Sequence, residues 1–332
     1  MRGNTVLDIL IPLVGGLVLL IAGGDLLVRG AVRVAATLGV SPLVIGLTLV
    51  GFGTSTPELV TSVQAALTDA PGIAYGNIVG SNIANVLLIG GVASIVFPIA
   101  VTSSALRRDA FVMLAATVAF AGLAATMSPS RPLGAVFVAA LALYIYRAFR
   151  QERSPAHPDH GAVYDKSRAT QDADPALSPP TAPGGSMAVS VLLAVAGLAL
   201  VVLGGKLLVE GAVALARGFG MSETVIGLTI VAIGTSMPEL VTSIVAGLKR
   251  QSDVAFGNIV GSNIYNILGI GGATALIAPG AVPPEIVRFD NLVMVGVSFV
   301  LVGFAYSGMR IARWEGGLLL AGYGGYVFYI WP

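Results

Sequence analysis

One stretch of this chain occurs twice, and nothing else limits its fold so strongly. Residues 44–67 read VIGLTLVGFGTSTPELVTSVQAAL and residues 225–248 read VIGLTIVAIGTSMPELVTSIVAGL, with 17 of 24 positions identical at a constant offset of 181. Each copy sets one carboxylate, Glu58 or Glu239, in a segment otherwise apolar enough for lipid. An ionised carboxylate at that depth costs several kcal/mol unless it faces a partner, a cation or a water-filled cavity. The same costly group at matching positions points to a paired site.

The repeat extends well past this stretch. GGDLLVRGA at 23–31 matches GGKLLVEGA at 204–212, and YGNIVGSNIANVLLIGG at 75–91 matches FGNIVGSNIYNILGIGG at 256–272. Arg107 and Asp109 match Arg288 and Asp290 at the same offset. Each half is therefore one unit of a duplicated architecture.

A helix that crosses a bilayer needs about 20 apolar residues. The sequence offers ten such segments: 6–28, 42–67, 72–97, 109–127, 132–149, 187–209, 223–248, 253–278, 290–308 and 313–331. The fold class expected is an all-α polytopic membrane protein, with a five-helix repeat over 1–149, a linker over 150–186 and a second five-helix repeat over 187–332. Charged residues make up 11% of the chain, against about 25% in soluble domains. The first apolar run continues to Leu27, too long for a signal peptide, and reads as a retained helix. Five is odd, so the second repeat enters from the opposite side, an inverted duplication found in secondary transporters.

The linker is rich in Pro, Asp, Ser and Gly and lacks an apolar period, so it reads as solvated chain, His157 and His160 included. Lysine and arginine orient the protein. Arg29, Arg33, Arg107, Arg108, Lys249, Arg250, Arg310 and Arg313 fall on the linker's side, against Arg2, Arg131, Arg217 and Arg288 on the other. The linker is expected in the cytoplasm and both termini outside, in the cell (inner) membrane.

Pro57 and Pro238 sit inside their helices, where a proline frees the carbonyl four residues back. Each helix should break near mid-membrane, tolerated where the backbone lines a cavity or is buried in protein. Freed carbonyls and a half-helix C-terminus suit a cation. Thr54 and Ser55 lie four and three residues before Glu58, as Thr235 and Ser236 do before Glu239, and should share its face. Asn77, Ser81 and Asn85 form a polar stripe that Asn258, Ser262 and Asn266 repeat. All these donors are oxygen, two carboxylates balance one divalent cation, and hard cations such as Ca²⁺ take oxygen ligands. The chain has no cysteine and the motifs no histidine, which disfavours soft metals. Asp25, Arg29, Lys206 and Glu210, near helix ends, read as interfacial ion pairs.

The pairs GTSTPELVTS with GNIVGSNI and GTSMPELVTS with GNIVGSNI resemble the α-repeats of the cation/Ca²⁺ antiporter superfamily, and are most similar to those of prokaryotic Na⁺/Ca²⁺ exchangers. The resemblance implies that Glu58, Glu239, Thr54 and Thr235 coordinate Ca²⁺ and share in Na⁺ binding. It implies that Ser55, Ser81, Ser236 and Ser262, with the carbonyls of Gly51 and Ala232, complete flanking Na⁺ sites, and that Asn85 and Asn266 line the centre. Some members carry Asp where this chain has Asn266, which bears on how many Na⁺ exchange for each Ca²⁺. The implied function is Na⁺/Ca²⁺ antiport by alternating access, with Ca²⁺/H⁺ or K⁺-dependent exchange as the alternative. Helices one and six, long and unpaired, are expected to slide against the rest. The transported ions are the ligands; no cofactor, nucleic acid or obligate protein partner is implied. An intramembrane hydrolase is not supported, since the membrane segments hold no nucleophile–base pair, aspartate dyad or HExxH motif. A passive channel fits inverted repeats poorly.

Overall fold

The computed structural model describes residues 6–40, 42–101, 104–152, 160–178 and 186–331. The chain is almost entirely helical, apart from a two-residue antiparallel pairing of Ile99–Ala100 with Arg310–Ile311. Seven helices are long and apolar enough to span a membrane. An eighth arises if Glu223–Thr235 and Met237–Leu248, bent by 47°, count as one broken span. The expected spans over 42–67 and 313–331 lie outside that set. The first is divided into short pieces, and Arg313, Glu315, glycines and tyrosines dilute the apolar character of the second.

The first half runs α1 Val6–Thr37, short helical pieces over 42–53, α2 Thr56–Leu67, α3 Pro71–Ala84, α4 Ser104–Thr126 and α5 Arg131–Glu152. A short helix, α6 Ala162–Ala173, follows. The second half runs α7 Met187–Phe219, helical pieces over 223–235, α8 Met237–Leu248, α9 Ser252–Ile264, α10 Asn291–Ser307 and α11 Arg313–Ile330. π-Helical turns at Gly46–Val50 and Gly227–Val231 precede the two breaks, and others follow α3 at Asn85–Ile89 and α9 at Tyr265–Gly271. Such turns disturb the regular ladder and recur at functional sites. Nothing in the apolar periodicity announced them.

The centre consists of α3 and α9, buried over almost their whole length. Glycine sets how closely neighbours approach. A Cβ at Gly80 would stand 2.6 Å from the Leu228 carbonyl oxygen, and one at Gly76 3.0 Å from Gly227 Cα. The π turn of the second half therefore lies directly on α3.

The expectation that helices one and six are unpaired is corrected. α1 and α7 pack against each other along their length. Glycines key the seam: a Cβ on Gly16 would fall 2.4 Å from Leu208 N, on Gly197 2.2 Å from Leu27 N, and on Gly30 2.4 Å from Ala194 N. At 32 and 33 residues these helices are about 48–50 Å long, well beyond the roughly 30 Å hydrocarbon core, so they tilt across it.

The expectation of a wholly solvated linker is also corrected. Residues 162–173 form α6, and Ala162, Val163, Asp165, Lys166, Ser167, Ala169 and Thr170 are buried. A helix whose buried face is half polar has no apolar period to detect. His160 lies against Glu152 at 2.7 Å and stacks on Tyr164; His157 lies outside the described residues.

A glycine in the seam and an exposed glycine in α11 give predictions of opposite sign. Gly204→Ala would drive a Cβ to 2.7 Å from Leu20 N and should cost about 1–3 kcal/mol. Gly324→Ala, where nothing lies within 4 Å, should gain about 0.5–1 kcal/mol from helix propensity. Thermal unfolding in detergent should show the first variant melting below, and the second above, the unaltered chain.

Candidate functional site

Both breaks bring their polar residues to the middle of the bundle. The helical piece Gly51–Gly53 ends at Thr54, α2 restarts at Thr56, and Pro57 and Glu58 fall in its first turn. In the second half the break falls at Ser236, with Pro238 and Glu239 in the first turn of α8. A proline is tolerated in a first turn, where its missing N–H has no intrahelical partner to lose. Glu58 is 1% exposed and Glu239 2%. Thr54, Thr235, Ser55, Ser236, Ser81, Ser262, Asn85, Asn266, Gly51 and Ala232 are likewise buried.

The two halves exchange partners. Ser55 Oγ donates to Glu239 Oε1 at 3.1 Å, and Ser236 Oγ donates to Glu58 Oε1 at 3.1 Å. The sequence spacing had put each serine on the face of its own glutamate. The backbone break turns it instead toward the carboxylate of the other motif. Behind each carboxylate an asparagine ties the broken helix to its neighbour. Asn77 Nδ2 donates to the Glu58 carbonyl at 3.2 Å and to Ser62 Oγ at 3.0 Å. Asn258 Nδ2 donates to the Glu239 carbonyl at 3.1 Å and lies 2.8 Å from Thr242 and Ser243 hydroxyls. These asparagines are positioning groups. Ser62, Thr242 and Ser243 were not singled out from sequence, although ELVTS is repeated.

The remaining stripe residues are less uniformly joined. Asn85 Nδ2 donates to Asn263 Oδ1 at 3.1 Å, a partner that sequence reasoning missed. The Ala232 carbonyl accepts from Ser236 N–H at 3.1 Å. The buried oxygens Glu58 Oε2, Glu239 Oε2, Asn85 Oδ1, Asn258 Oδ1 and Asn266 Oδ1 have no hydrogen-bond donor. Buried oxygens without donors at the foot of two broken helices form a cation-attracting set. Among the described residues no three His, Asp or Glu side chains cluster, so any cation here relies on hydroxyl, amide and backbone oxygen beside two carboxylates.

A residue outside the expected site enters it. Lys166 of α6 is fully buried, and its Nζ donates to Thr54 Oγ1 at 2.7 Å, to Ser262 Oγ at 2.7 Å and to Glu239 Oε1 at 3.3 Å. Burial lowers its pKa from the ordinary lysine value, while Glu239 and Glu58 oppose that shift. The expected ion pairs form, Asp25 with Arg29 at 2.9 Å and Lys206 with Glu210 at 3.9 Å, but in the interior of α1 and α7 rather than near helix ends, because both helices run on past them to Thr37 and Phe219.

Residues 9–150 and 189–331 match the family of sodium/calcium exchanger proteins. The chain belongs to the sodium/calcium exchanger family. It is 38% identical over 322 residues to the putative antiporter CaxA of Alkalimonas amylolytica, covering 94% of this chain and 95% of that one. It is 36% identical over 331 residues to the sodium/calcium exchanger MaX1 of Methanosarcina acetivorans, covering 93% and 94%. A solved structure of the sodium–calcium exchanger NCX_Mj, soaked with Na⁺ and Sr²⁺, superposes with a TM-score of 0.61 at 32% identity over 94% of this chain and 95% of that one. Na⁺/Ca²⁺ antiport, the function expected from the repeats, is the function these relationships support; proton- or K⁺-coupled exchange is not favoured. The match is to transporters rather than enzymes.

Asn77 can be tested as a tie. Asn77→Ala leaves the Ser62 and Thr235 hydroxyls without their amide partner. Interhelical polar contacts in membranes contribute about 1–2 kcal/mol, so the variant should melt measurably lower in detergent, as should Asn258→Ala.

Proposed function

We propose that this chain expels Ca²⁺ in exchange for Na⁺ through one shared site, by alternating access between two inverted five-helix repeats, 1–149 and 187–332. The observation that carries the reading is the reciprocal pairing of Ser55 with Glu239 and Ser236 with Glu58, two carboxylates buried in a set of oxygens that lacks donors. Glu58, Glu239, Thr54 and Thr235 supply oxygens for Ca²⁺, which takes about 6–8 at roughly 2.3–2.6 Å. Ser55, Ser81, Ser236 and Ser262, with the Gly51 and Ala232 carbonyls, flank them for Na⁺, and Asn85 and Asn266 line the middle.

Competition follows from sharing. The empty site carries two negative charges in a low-dielectric bundle and is the form least able to cross. Loading by Ca²⁺ or by Na⁺ neutralises it and permits reorientation. The keyed pair α1 and α7 is the moving body. With Asn at 266 the centre holds two carboxylates, which bears on how many Na⁺ it takes; were three Na⁺ exchanged for one Ca²⁺, each cycle would move one net charge and the sodium gradient would drive Ca²⁺ outward. The protein lies in the inner membrane with ten spans, the linker in the cytoplasm and both termini outside, and works without cofactor or obligate partner. The basic residues Arg29, Arg108 and Lys249 all contact the linker, its flank or residues that hold it, in keeping with the positive-inside rule.

The test is ⁴⁵Ca²⁺ uptake into proteoliposomes loaded with Na⁺ and diluted into Na⁺-free buffer. Uptake should require internal Na⁺ and fall to background in both Glu58→Gln and Glu239→Gln. Uptake indifferent to Na⁺ but following pH or K⁺ would overturn the assignment of the coupling ion.

A further inference from the structure

The two halves repeat in sequence but not in what lies against their central helices. In α3, Gly76 and Gly80 receive the 227–232 segment of the other half. Their counterparts in α9, at the offset of 181, are Gly257 and Gly261. The duplication assigns the 46–51 segment to that place, yet α6 occupies it. A Cβ at Gly257 would stand 2.3 Å from Asp165 Cβ, and one at Gly261 3.2 Å from Lys166 Cβ and the Ala162 carbonyl oxygen. The linker helix fills the slot that, in the other half, is closed by direct packing.

The hydrogen bonds differ at the same place. In one half Thr235 Oγ1 donates to Asn77 Oδ1 at 2.9 Å, and Ser81 Oγ approaches the same oxygen at 3.5 Å. In the other half the matching Thr54 and Ser262 both accept from Lys166, and Asn258 Oδ1 is left without a donor. An ammonium has three N–H donors. Here they meet two hydroxyls and one carboxylate, the oxygens the exchange reading assigns to a cation. Tyr265 lies alongside, its ring centroid 6.0 Å from Nζ.

Both ends of the helix are held. The Ala162 N–H donates to Asp109 Oδ2 at 2.8 Å and the Gly161 N–H to Glu152 Oε1 at 3.1 Å. Asp290, the repeat counterpart of Asp109, instead accepts from Tyr326. At the far end Asp174 meets Arg29 at 2.5 Å, and Asp172 meets Lys249 at 3.1 Å. One group opposes docking. Asp165 is buried with Oδ2 unbonded, and burial, reinforced by the Asp253 and Glu152 carboxylates, pushes its pKa up to about 8. A cavity of about 370 Å³ runs beside the helix, between Thr170 and Ala173 on one wall and Gly24, Thr54 and Pro238 on the other.

We propose that α6 is a tethered plug, with the Lys166 ammonium standing in the place of a transported cation and the helix holding the carrier open on the linker side but blocked. Na⁺ and Ca²⁺ displace Lys166 by competing for Glu239, Thr54 and Ser262. The slot on Gly257 and Gly261 closes, and the carrier turns over, when the helix has left. The proposal rests on the exchange reading in one respect, that these oxygens are the ion site.

The experiment uses the full chain, which contains no native cysteine. Single reporters are placed by Ser167→Cys and Ala169→Cys on the buried face, and by Ala176→Cys at an exposed position. In ion-free buffer maleimide should label the first two at least about tenfold more slowly than the third, as a helix docked nine-tenths of the time requires. Adding Lys166→Gln, or saturating Ca²⁺, should remove most of that protection. In the flux assay Lys166→Gln should lower the Ca²⁺ concentration at half-maximal uptake by up to about tenfold, because apparent affinity is reduced by the fraction of time the site is blocked. Equal labelling at all three positions, or protection that Lys166→Gln leaves unchanged, would overturn the plug. So would exchange abolished by Lys166→Gln, since the lysine would then be part of the transport cycle. If no variant and no unaltered chain moved Ca²⁺ against Na⁺, the exchange reading would fail while the labelling rates still decided whether Lys166 holds the helix in place.

Discussion

Two carboxylates that cannot reach water set the terms for the rest of this protein. Glu58 and Glu239 lie at the foot of two broken helices, each accepting one hydroxyl from the opposite half and keeping one oxygen without a donor. Ionised in a low-dielectric bundle, they need a positive group close by. The helix breaks, the asparagine ties behind them and the glycines that bring backbones together all hold these oxygens in the middle of the bundle. In the state described here the nearest positive charge belongs to the chain itself.

Much of this could be read from the amino acids because duplication makes exceptions visible. One glutamate in an apolar segment is ambiguous; two at one offset, each behind a proline, point to a paired site. The breaks at Thr54–Ser55 and Ser236 follow from proline chemistry, and the polar stripes on α3 and α9 follow from helical spacing. What spacing could not supply was the crossing of partners, since the i to i+3 rule assumes an unbroken helix and the backbone between Ser55 and Glu58 is not one. The π turns leave no mark on apolar periodicity for a similar reason: they shift register within segments that are apolar throughout.

The linker helix was illegible for a deeper reason. Its sequence AVYDKSRATQDA looks like solvated chain because it carries few apolar residues. A segment docked in a polar cavity needs polar atoms on its buried face, so burial and hydropathy point in opposite directions. Asp109 held the available hint. Its counterpart Asp290 bonds within its own half, whereas Asp109 reaches the first turn of α6. Departures from the repeat therefore mark where the halves do different work.

The glycine seam between α1 and α7 has a consequence for leakage. The pair also reaches the breaks: Val28 of α1 lies against Gly53 and Leu17 of α1 against Gly234, while Gly205 of α7 lies against Val60 of α2. Backbones notched together at Gly16, Gly30 and Gly197 collide if one slips along the other, so a shift of one helix carries its neighbour with it. Because α1 lies against both breaks, a displacement of the pair would be felt at both. On the exchange reading proposed above, that shared contact would keep the two sides of the site from opening together, and the gradient across the membrane would be preserved.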